Sequence, residues 1–519
     1  MKKFKVEKSL PLHALVAAIQ EVIIEHDNET FVHAGQLVRC YVSEGPGGEV
    51  VHKCVPYTQD TIASRVSELG VEIIGSKGQR VHLPQSVARN LLQSLEWSGF
   101  PVLRVFTDVP FWDGECVVTQ PGYHEPSATL YAPATGEIPE VPLSATHDDA
   151  LASVELFREL LSDFPFKHDA HLSSILAAVL TPLLRSGIRG PIPILAIDAA
   201  AAGTGKSKLA DIISLLSTGQ DAARHVFPER GHDAELVKQL TAAALEGDRI
   251  LTYDNVNTFI KSAALDAHGT ARVFKGRALG SNSFIQTDAP PFLVLTGNNL
   301  AFHDETRRRL LYCRMVARSA TPHARGGFRF DPIEAHVRGN RAKYVAAALT
   351  IRAAYQAAGC PSVEMKRWGS YEAWSEEVRR PLVWVGLVDP VVATEDFMSE
   401  EDDDDRAAWA SVRVALEKLS EDNPRKGVTA FQLLRQLNTT NSFQSGGPLK
   451  RPAEEKWKTE FEEALQLLFG GVIPTPDALG RRLGQMRDRN LGGWRIVRGG
   501  LTGGSRRWVV EMIDEESPS

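Results

Sequence analysis

Apolar positions along this chain recur in two periods, and the switches between them mark out its parts. Leu12 to Ile24 carries apolar side chains at helical spacing, whereas Thr30 to Tyr41 and Val71 to Leu83 alternate with the period of two expected of half-buried strands. Turns at Gly45-Pro46-Gly47-Gly48 and at Gly75 separate them, so residues 1–145 read as a mixed α/β domain. Five prolines between Pro121 and Pro142 read as a loop. Thr146 followed by Asp149 predicts a helix start. Two helices then lead to Pro191. From there the periods alternate: strand 193–197, helix 207–216, helix 232–246, strand 249–253 and strand 291–296, the pattern of a parallel sheet. Helical spacing returns at 340–358 and 370–386, giving a core over 146–320 and a helical extension over 321–398. The acidic run Glu400-Glu401-Asp402-Asp403-Asp404-Asp405 predicts a linker over 399–405. In the last segment, 406–519, a helix over Pro476 to Met486 precedes strands at Trp494 to Val497 and Arg507 to Glu511, which flank the Gly-rich stretch Arg498 to Ser505. A helix followed by a two-stranded wing is a winged-helix pattern.

Composition narrows the class without naming a function. A chain of 519 residues has room for about three or four domains. With 43% apolar and 24% charged residues it reads as an ordinary globular chain. A net charge of −7 gives no global nucleic-acid signature, so a basic surface must be local. Cys40, Cys54, Cys116, Cys313 and Cys360 are scattered without a CxxC pair, which argues against a disulfide framework or zinc site and fits a reducing cytoplasm. MKKFKVEKSL lacks the apolar core of a signal peptide, and the apolar stretch Ser174 to Leu184 is too short to span a bilayer. No internal repeat is visible.

The segment after Pro193 carries the first chemistry. An apolar strand runs into a small-residue loop ending Gly203-Thr204-Gly205-Lys206-Ser207, and helical spacing follows at once. That is the setting of a phosphate-binding P-loop: backbone N–H groups turn inward around a polyphosphate, and the new helix points its positive end at the same charge. Lys206 would reach the β- and γ-phosphates of ATP, and Ser207 would place its hydroxyl on Mg²⁺. The pattern is AxxxxGKS, with Ala200 at the usual first glycine.

Three further segments extend the pattern. Arg249 to Asn255 is an apolar strand ending in a carboxylate, a Walker B arrangement in which Asp254 would hold Mg²⁺. Asn255 stands where a second acid is usual; it can orient water but cannot take its proton, which leaves the general base open. The strand Pro291 to Thr296 ends Gly297-Asn298-Asn299, and Asn298 or Asn299 would sense the γ-phosphate. Asp304-Glu305-Thr306-Arg307-Arg308-Arg309 follows, with Arg308 ahead of Arg307 as an arginine finger that a ring ATPase supplies from a neighbouring subunit.

This order of motifs resembles superfamily-3-type ring helicases of the AAA+ class, and within them the primase-helicases of prophages, satellite phages and integrative mobile elements. Flanking segments agree: Asp113-Gly114 to Pro121-Gly122-Tyr123, Arg277-Ala278-Leu279-Gly280, and Trp368-Gly369-Ser370-Tyr371-Glu372-Ala373-Trp374-Ser375 to Asp389-Pro390. The resemblance covers roughly residues 100–395 and the C-terminus more loosely. It implies an α/β fold with an AAA+ P-loop core, a homo-hexamer, ATP and Mg²⁺ as cofactors, and movement along single-stranded DNA in the central channel. It also implies a β-hairpin before the sensor strand whose basic residue touches DNA. Lys275 and Arg277 are the candidates, with a subunit-interface role open for Arg277.

Between 477 and 508, Arg481, Arg482, Arg487, Arg489, Arg495, Arg498, Arg506 and Arg507 face only Asp477 and Asp488, an excess suited to duplex DNA phosphates, with a protein-binding wing as the alternative. Two weaker groups point elsewhere. His168 and His171 flank a helix start and read as capping or surface residues. Asp108, Asp113 and Glu115, with no zinc-binding cysteines, read as a loop rather than a primase site. The expectation is an ATP-driven DNA helicase or replication initiator of a mobile element, located in the cytoplasm and able to engage host replication proteins. One rival is an ATP-switched, DNA-bound assembly factor that recruits a host helicase. Another is a remodelling or defence ATPase without nucleic acid.

Overall fold

The computed structural model describes residues 4–44, 50–93, 97–133, 139–142, 144–229, 231–257, 259–277, 284–317, 325–421, 426–438, 456–469, 471–489, 491, 493–502 and 505–513, with the backbone alone at 401–403, 438 and 502. The chain divides into two compact units, Met1–Thr394 and Glu395–Ser519.

The centre of the first unit is a five-stranded parallel sheet. Its order is Arg224–His225, Ile250–Val256, Phe292–Asn298, Ile194–Ala199 and Leu310–Met315. Every residue of Ile194–Ala199 is buried, as expected of a parallel strand covered on both faces. The helices His147–Leu160, Asp169–Leu183, Lys206–Thr218 and Arg341–Ala357 contribute to the same apolar core. The Thr146 cap is present: its hydroxyl accepts from Asp149 N, and the Asp149 side chain accepts from Thr146 N. In doubly wound sheets ligands bind at the carboxyl ends of the strands. Here those ends carry Ala199, Asn298 and the bulged segment at Asp254.

The expected alternation missed two strands. Leu310–Met315 pairs with Ile194–Ala199, and the short edge strand Arg224–His225 pairs with Thr252 and Tyr253. The first follows the arginine run directly, and the second has too few residues to show a period.

The N-terminal region is mixed α/β. Thr30–His33, Gln36–Glu44, Val50–Pro56 and Val102–Leu103 form one sheet, Phe4–Glu7, Val71–Ile74 and Arg80–Val81 another, with helices Leu12–His26, Gln59–Glu68 and Gln85–Leu92. Within the same compact unit this region packs against the helix Asp233–Glu246 and the segment Phe284–Asp288. His33 Nε2 lies 2.8 Å from Ala244 O, Gln286 N donates to Ala34 O at 3.1 Å, and Arg104 pairs with Asp288 at 2.8 Å.

The acidic run expected as a linker is helical instead, inside Val391–Ser420. Ala408, Trp409, Val412 and Leu416 are buried at helical spacing along it, so packing of one face overrides the solvated charges. The second unit has its own core, including Trp409, Leu433, Phe461, Leu483, Ile496 and Trp508. Helices Ala430–Asn438, Lys456–Leu468 and Pro476–Gln485 precede a hairpin of Trp494–Thr502 and Ser505–Met512, with Val428–Thr429 added at its edge. Among the described residues no helix is long and apolar enough to cross a membrane.

Candidate nucleotide site

The glycine-containing loop 200–205 joins the strand Ile194–Ala199 to the helix Lys206–Thr218. Two of its glycines adopt left-handed backbone, Gly203 at φ 78° and Gly205 at φ 99°. At Gly205 an added Cβ would also meet the Phe164 ring at 3.0 Å. Conformation and space therefore both require glycine there. The helix has 13 residues and begins at Lys206, so its unpaired N–H groups and positive end face the loop.

Side chains from two parallel strands and this helix meet at the loop. Lys206 Nζ donates to Asn298 Oδ1 at 2.7 Å and to Ala201 O at 3.2 Å. Burial lowers the Lys206 pKa, with Asp198 and Asp254 acting in the opposite direction. Ser207 Oγ donates to Asp254 Oδ1 at 3.0 Å, and Thr296 Oγ1 also donates to that oxygen. A hydroxyl beside a carboxylate is an oxygen donor set suited to Mg²⁺, which keeps several waters and takes phosphate oxygens as its remaining ligands. The residues present therefore fit both a polyphosphate and its metal.

Asn255 and Asn299, at neighbouring strand ends, have φ of 56° and 50°. Asn tolerates this region better than other side chains except Gly, because its short amide bonds locally. Asn255 N donates to Thr296 Oγ1 at 3.1 Å, and the strand bulges between Tyr253 and Val256. An amide is compatible with this backbone conformation.

Sequence reasoning missed a buried network under the sensor strand. Asp198 is fully buried near the end of the strand Ile194–Ala199. It accepts from Leu300 N at 3.0 Å, from Tyr312 Oη at 2.7 Å and from Arg314. Arg314 Nη2 also donates to Asn299 Oδ1 at 3.1 Å. Burial and the Asp198 carboxylate push the Tyr312 pKa up. Asp198 lies inside an apolar run and Arg314 on a strand that the periods did not show, so no local pattern marks them.

The arginine run separates into three environments. Arg307 is buried and donates from Nε to Phe302 O at 2.9 Å. Arg309 pairs with Asp266 at 2.9 Å and is 13% exposed. Arg308 is 59% exposed and pairs with Glu305 one turn before it.

Ahead of the sensor strand, Phe274–Arg277 and Phe284–Thr287 form an antiparallel hairpin. Lys275 and Arg277 lie on its exposed face, with Lys275 Nζ 4.9 Å from the centre of the Phe284 ring. Gly276 packs on Thr241, where a Cβ would come within 2.1 Å of its hydroxyl. Residues 278–283, including the rest of the Arg277-Ala278-Leu279-Gly280 motif, lie outside the described residues.

In the second unit the arginines do not act alike. Arg507 is buried and donates to Gly427 O at 2.8 Å, and Arg495 pairs with Glu511 at 2.7 Å, an acid just beyond the stretch counted in the sequence. Arg481 and Arg482 lie on Pro476–Gln485, and Arg487 contacts Asp488 at 2.8 Å. Arg498 is exposed on the hairpin, and the charges of Arg487 and Arg506 beside it lower its pKa.

Two smaller expectations need correction or gain a reason. His171 is buried rather than at the surface, and its Nδ1 accepts from Arg314 N at 3.1 Å. Burial takes its pKa down to about 3, helped by the nearby positive charge of His168 and Lys167. His168 occupies the N-cap position of Asp169–Leu183. Asp108 accepts from both terminal guanidinium nitrogens of Arg341, Nη1 and Nη2, and faces Arg249 at 3.8 Å; burial raises its pKa, and these cations more than offset the rise. Asp113 accepts from Glu115 N and Cys116 N in a local turn. Among the described residues, no group of three or more His, Cys, Asp or Glu is placed to hold a metal.

No protein-family model matches the chain, and no curated protein does. Among solved structures it is similar to the apo NrS-1 C-terminal region, at 13% identity and a TM-score of 0.40, over 95% of this chain and 98% of that one. The SCCmec type IV Cch active helicase is similar at 12% identity and a TM-score of 0.32, over 94% and 98%. JCV helicase matches 46% of this chain and 68% of its own, at 14% identity and a TM-score of 0.22. Likeness this distant carries no inference about activity.

Proposed function

We propose that the protein binds and hydrolyses ATP with Mg²⁺ and uses the energy as a ring-forming DNA helicase or replication initiator. The observation that carries this reading is the convergence of Lys206, Ser207, Asp254 and Asn298 at the carboxyl ends of three parallel strands, beside a helix N-terminus. Lys206 would neutralise the terminal phosphates, and Ser207 with Asp254 would hold the metal. Held by Ser207 and Asp254, Mg²⁺ would supply the positive charge that offsets negative charge developing on the phosphates. Asn298 would keep the Lys206 ammonium aimed into the loop, and Asn255 would orient a water without accepting its proton.

The exposed Arg308 suits transfer of a cation to a neighbouring subunit's site better than the buried Arg307. Exposed Lys275 and Arg277 on one hairpin face suit a DNA backbone, and the Arg487, Arg498 and Arg506 cluster in the second unit suits duplex phosphates. A mobile-element origin and a hexamer belong to the same proposal. The amide at Asn255 favours a second reading, an ATP-switched assembly factor with slow turnover. Lys206→Ala separates nucleotide function from fold. It should abolish ATP hydrolysis with an unchanged melting temperature, whereas near wild-type hydrolysis rejects the assignment. A forked-duplex assay on the wild type then divides the readings, since strand separation supports the helicase and DNA-stimulated binding without it supports the switch.

A further inference from the structure

The Asp254 carboxylate has two unlike oxygens. Oδ1 accepts from Ser207 at 3.0 Å and from Thr296. Oδ2 makes a longer contact with Ser207, at 3.3 Å, and faces Arg224 Nε at 3.3 Å. Oδ2 is thus the oxygen with more capacity for a cation, and a guanidinium already lies beside it. Arg224 comes from the edge strand Arg224–His225, which pairs on one side only. Its far nitrogen, Nη2, bonds Asp211 Oδ2 at 2.7 Å. Asp211 stands on the helix that Lys206 opens, is buried, and has its pKa raised by burial against the lowering effect of Arg224. Asp221 and Glu334 also feel or supply charge here, and Glu334 is engaged by Lys208 at 2.6 Å.

We propose that Arg224 competes with the divalent cation for Asp254, with Asp211 as the second carboxylate that receives it when the cation binds. The inference rests on the nucleotide-site reading above. The chemistry is charge exchange. A guanidinium cannot stay beside Oδ2 while Mg²⁺ takes that oxygen, because like charges at this range repel. At 39% exposure Arg224 has room to withdraw, and its bond to Asp211 is the shorter of the two. Arg224 thereby weakens metal binding, sets how readily the metal leaves with product, and ties that exchange to the helix bearing Lys206. It is a positioning residue, acting through Asp254.

The test measures nucleotide binding by the full-length protein without turnover, using a fluorescent non-hydrolysable ATP analogue in EDTA and in excess Mg²⁺. Arg224→Gln should tighten binding about 5-fold in Mg²⁺ and leave it unchanged in EDTA, the scale of a part-exposed ion pair. Arg224→Lys should stay near wild type. Asp211→Asn should weaken binding in Mg²⁺ alone, because Arg224 loses its alternative partner. Arg224→Gln that weakens binding in both conditions would make Arg224 a phosphate ligand and overturn the proposal, as would no change in either. Wild-type protein that binds the analogue in neither condition overturns the nucleotide-site reading and this inference with it. Melting temperatures identify a variant that has failed to fold, and Asp211→Asn then decides the question independently.

Discussion

Lys206 Nζ and Asn298 Oδ1 lie 2.7 Å apart, joining the start of one helix to the tip of a strand 92 residues later. The bond fixes the ammonium over the loop before any phosphate arrives, so the lysine's rotamer freedom is already reduced. It also makes Asn298, rather than Asn299, the residue in direct contact with Lys206. Asn299 instead accepts from Arg314 at 3.1 Å.

Asn298→Ala should leave ATP affinity within a few-fold of wild type and lower the maximal hydrolysis rate on the order of 10²-fold, the cost of a misplaced catalytic group. Asn298→Asp should instead weaken nucleotide binding, because a carboxylate would pair with Lys206 and compete with phosphate. Steady-state kinetics with equilibrium nucleotide binding distinguishes the two. Unchanged rates in both variants would remove Asn298 from the site.

Arg308→Ala should abolish hydrolysis by about 10³-fold or more while nucleotide binding and melting temperature stay near wild type. Arg307→Ala should lower the melting temperature, since its buried guanidinium bonds Phe302 O. Mixing Arg308→Ala with Lys206→Ala subunits should recover partial activity if the site is shared between chains. A fully active Arg308→Ala protein rules out this finger.

His171 predicts a specific acid limb. Its folded pKa of about 3 lies below the ordinary value of 6.5, so the unfolded chain binds more protons between those values. Its contribution is complete above pH 6.5 and is lost as pH falls toward 3. His268, lowered by burial to about 4, adds to the same window. His171→Gln should flatten part of the fall, measured as the urea midpoint against pH. Parallel curves for the two proteins would contradict the assignment.

The Glu395–Ser519 unit, with its own core, should bind duplex DNA with a steep loss of affinity as salt rises. Arg498→Ala should weaken binding uniformly across sequences and reduce the salt slope by about one. Arg495→Ala should have a smaller effect, because Glu511 already pairs with it. A folded fragment without affinity at low salt makes this unit a protein-binding module.

Much of the loop was legible because its requirements are local. Gly203 and Gly205 must take positive φ, Lys206 and Ser207 must open a helix, and a buried parallel strand must be apolar; each requirement shows in adjacent residues. The hairpin before the sensor strand could not be derived from local pattern and entered through family resemblance alone.

Sequence by itself determined the strand, loop and helix around Lys206, the two strands that end at Asp254 and Asn298, and which residues have the chemistry for phosphate and metal. Tertiary structure decided which of them meet. It paired Lys206 with Asn298, brought Arg224 to Asp254 and Arg314 to Asp198, buried Arg307 and exposed Arg308. It also turned the acidic run into helix and gave Asp108 to Arg341. The reason is physical: backbone conformation answers to near neighbours, whereas a charge's partner is set by which strands lie side by side. That choice depends on burying the sheet as a whole.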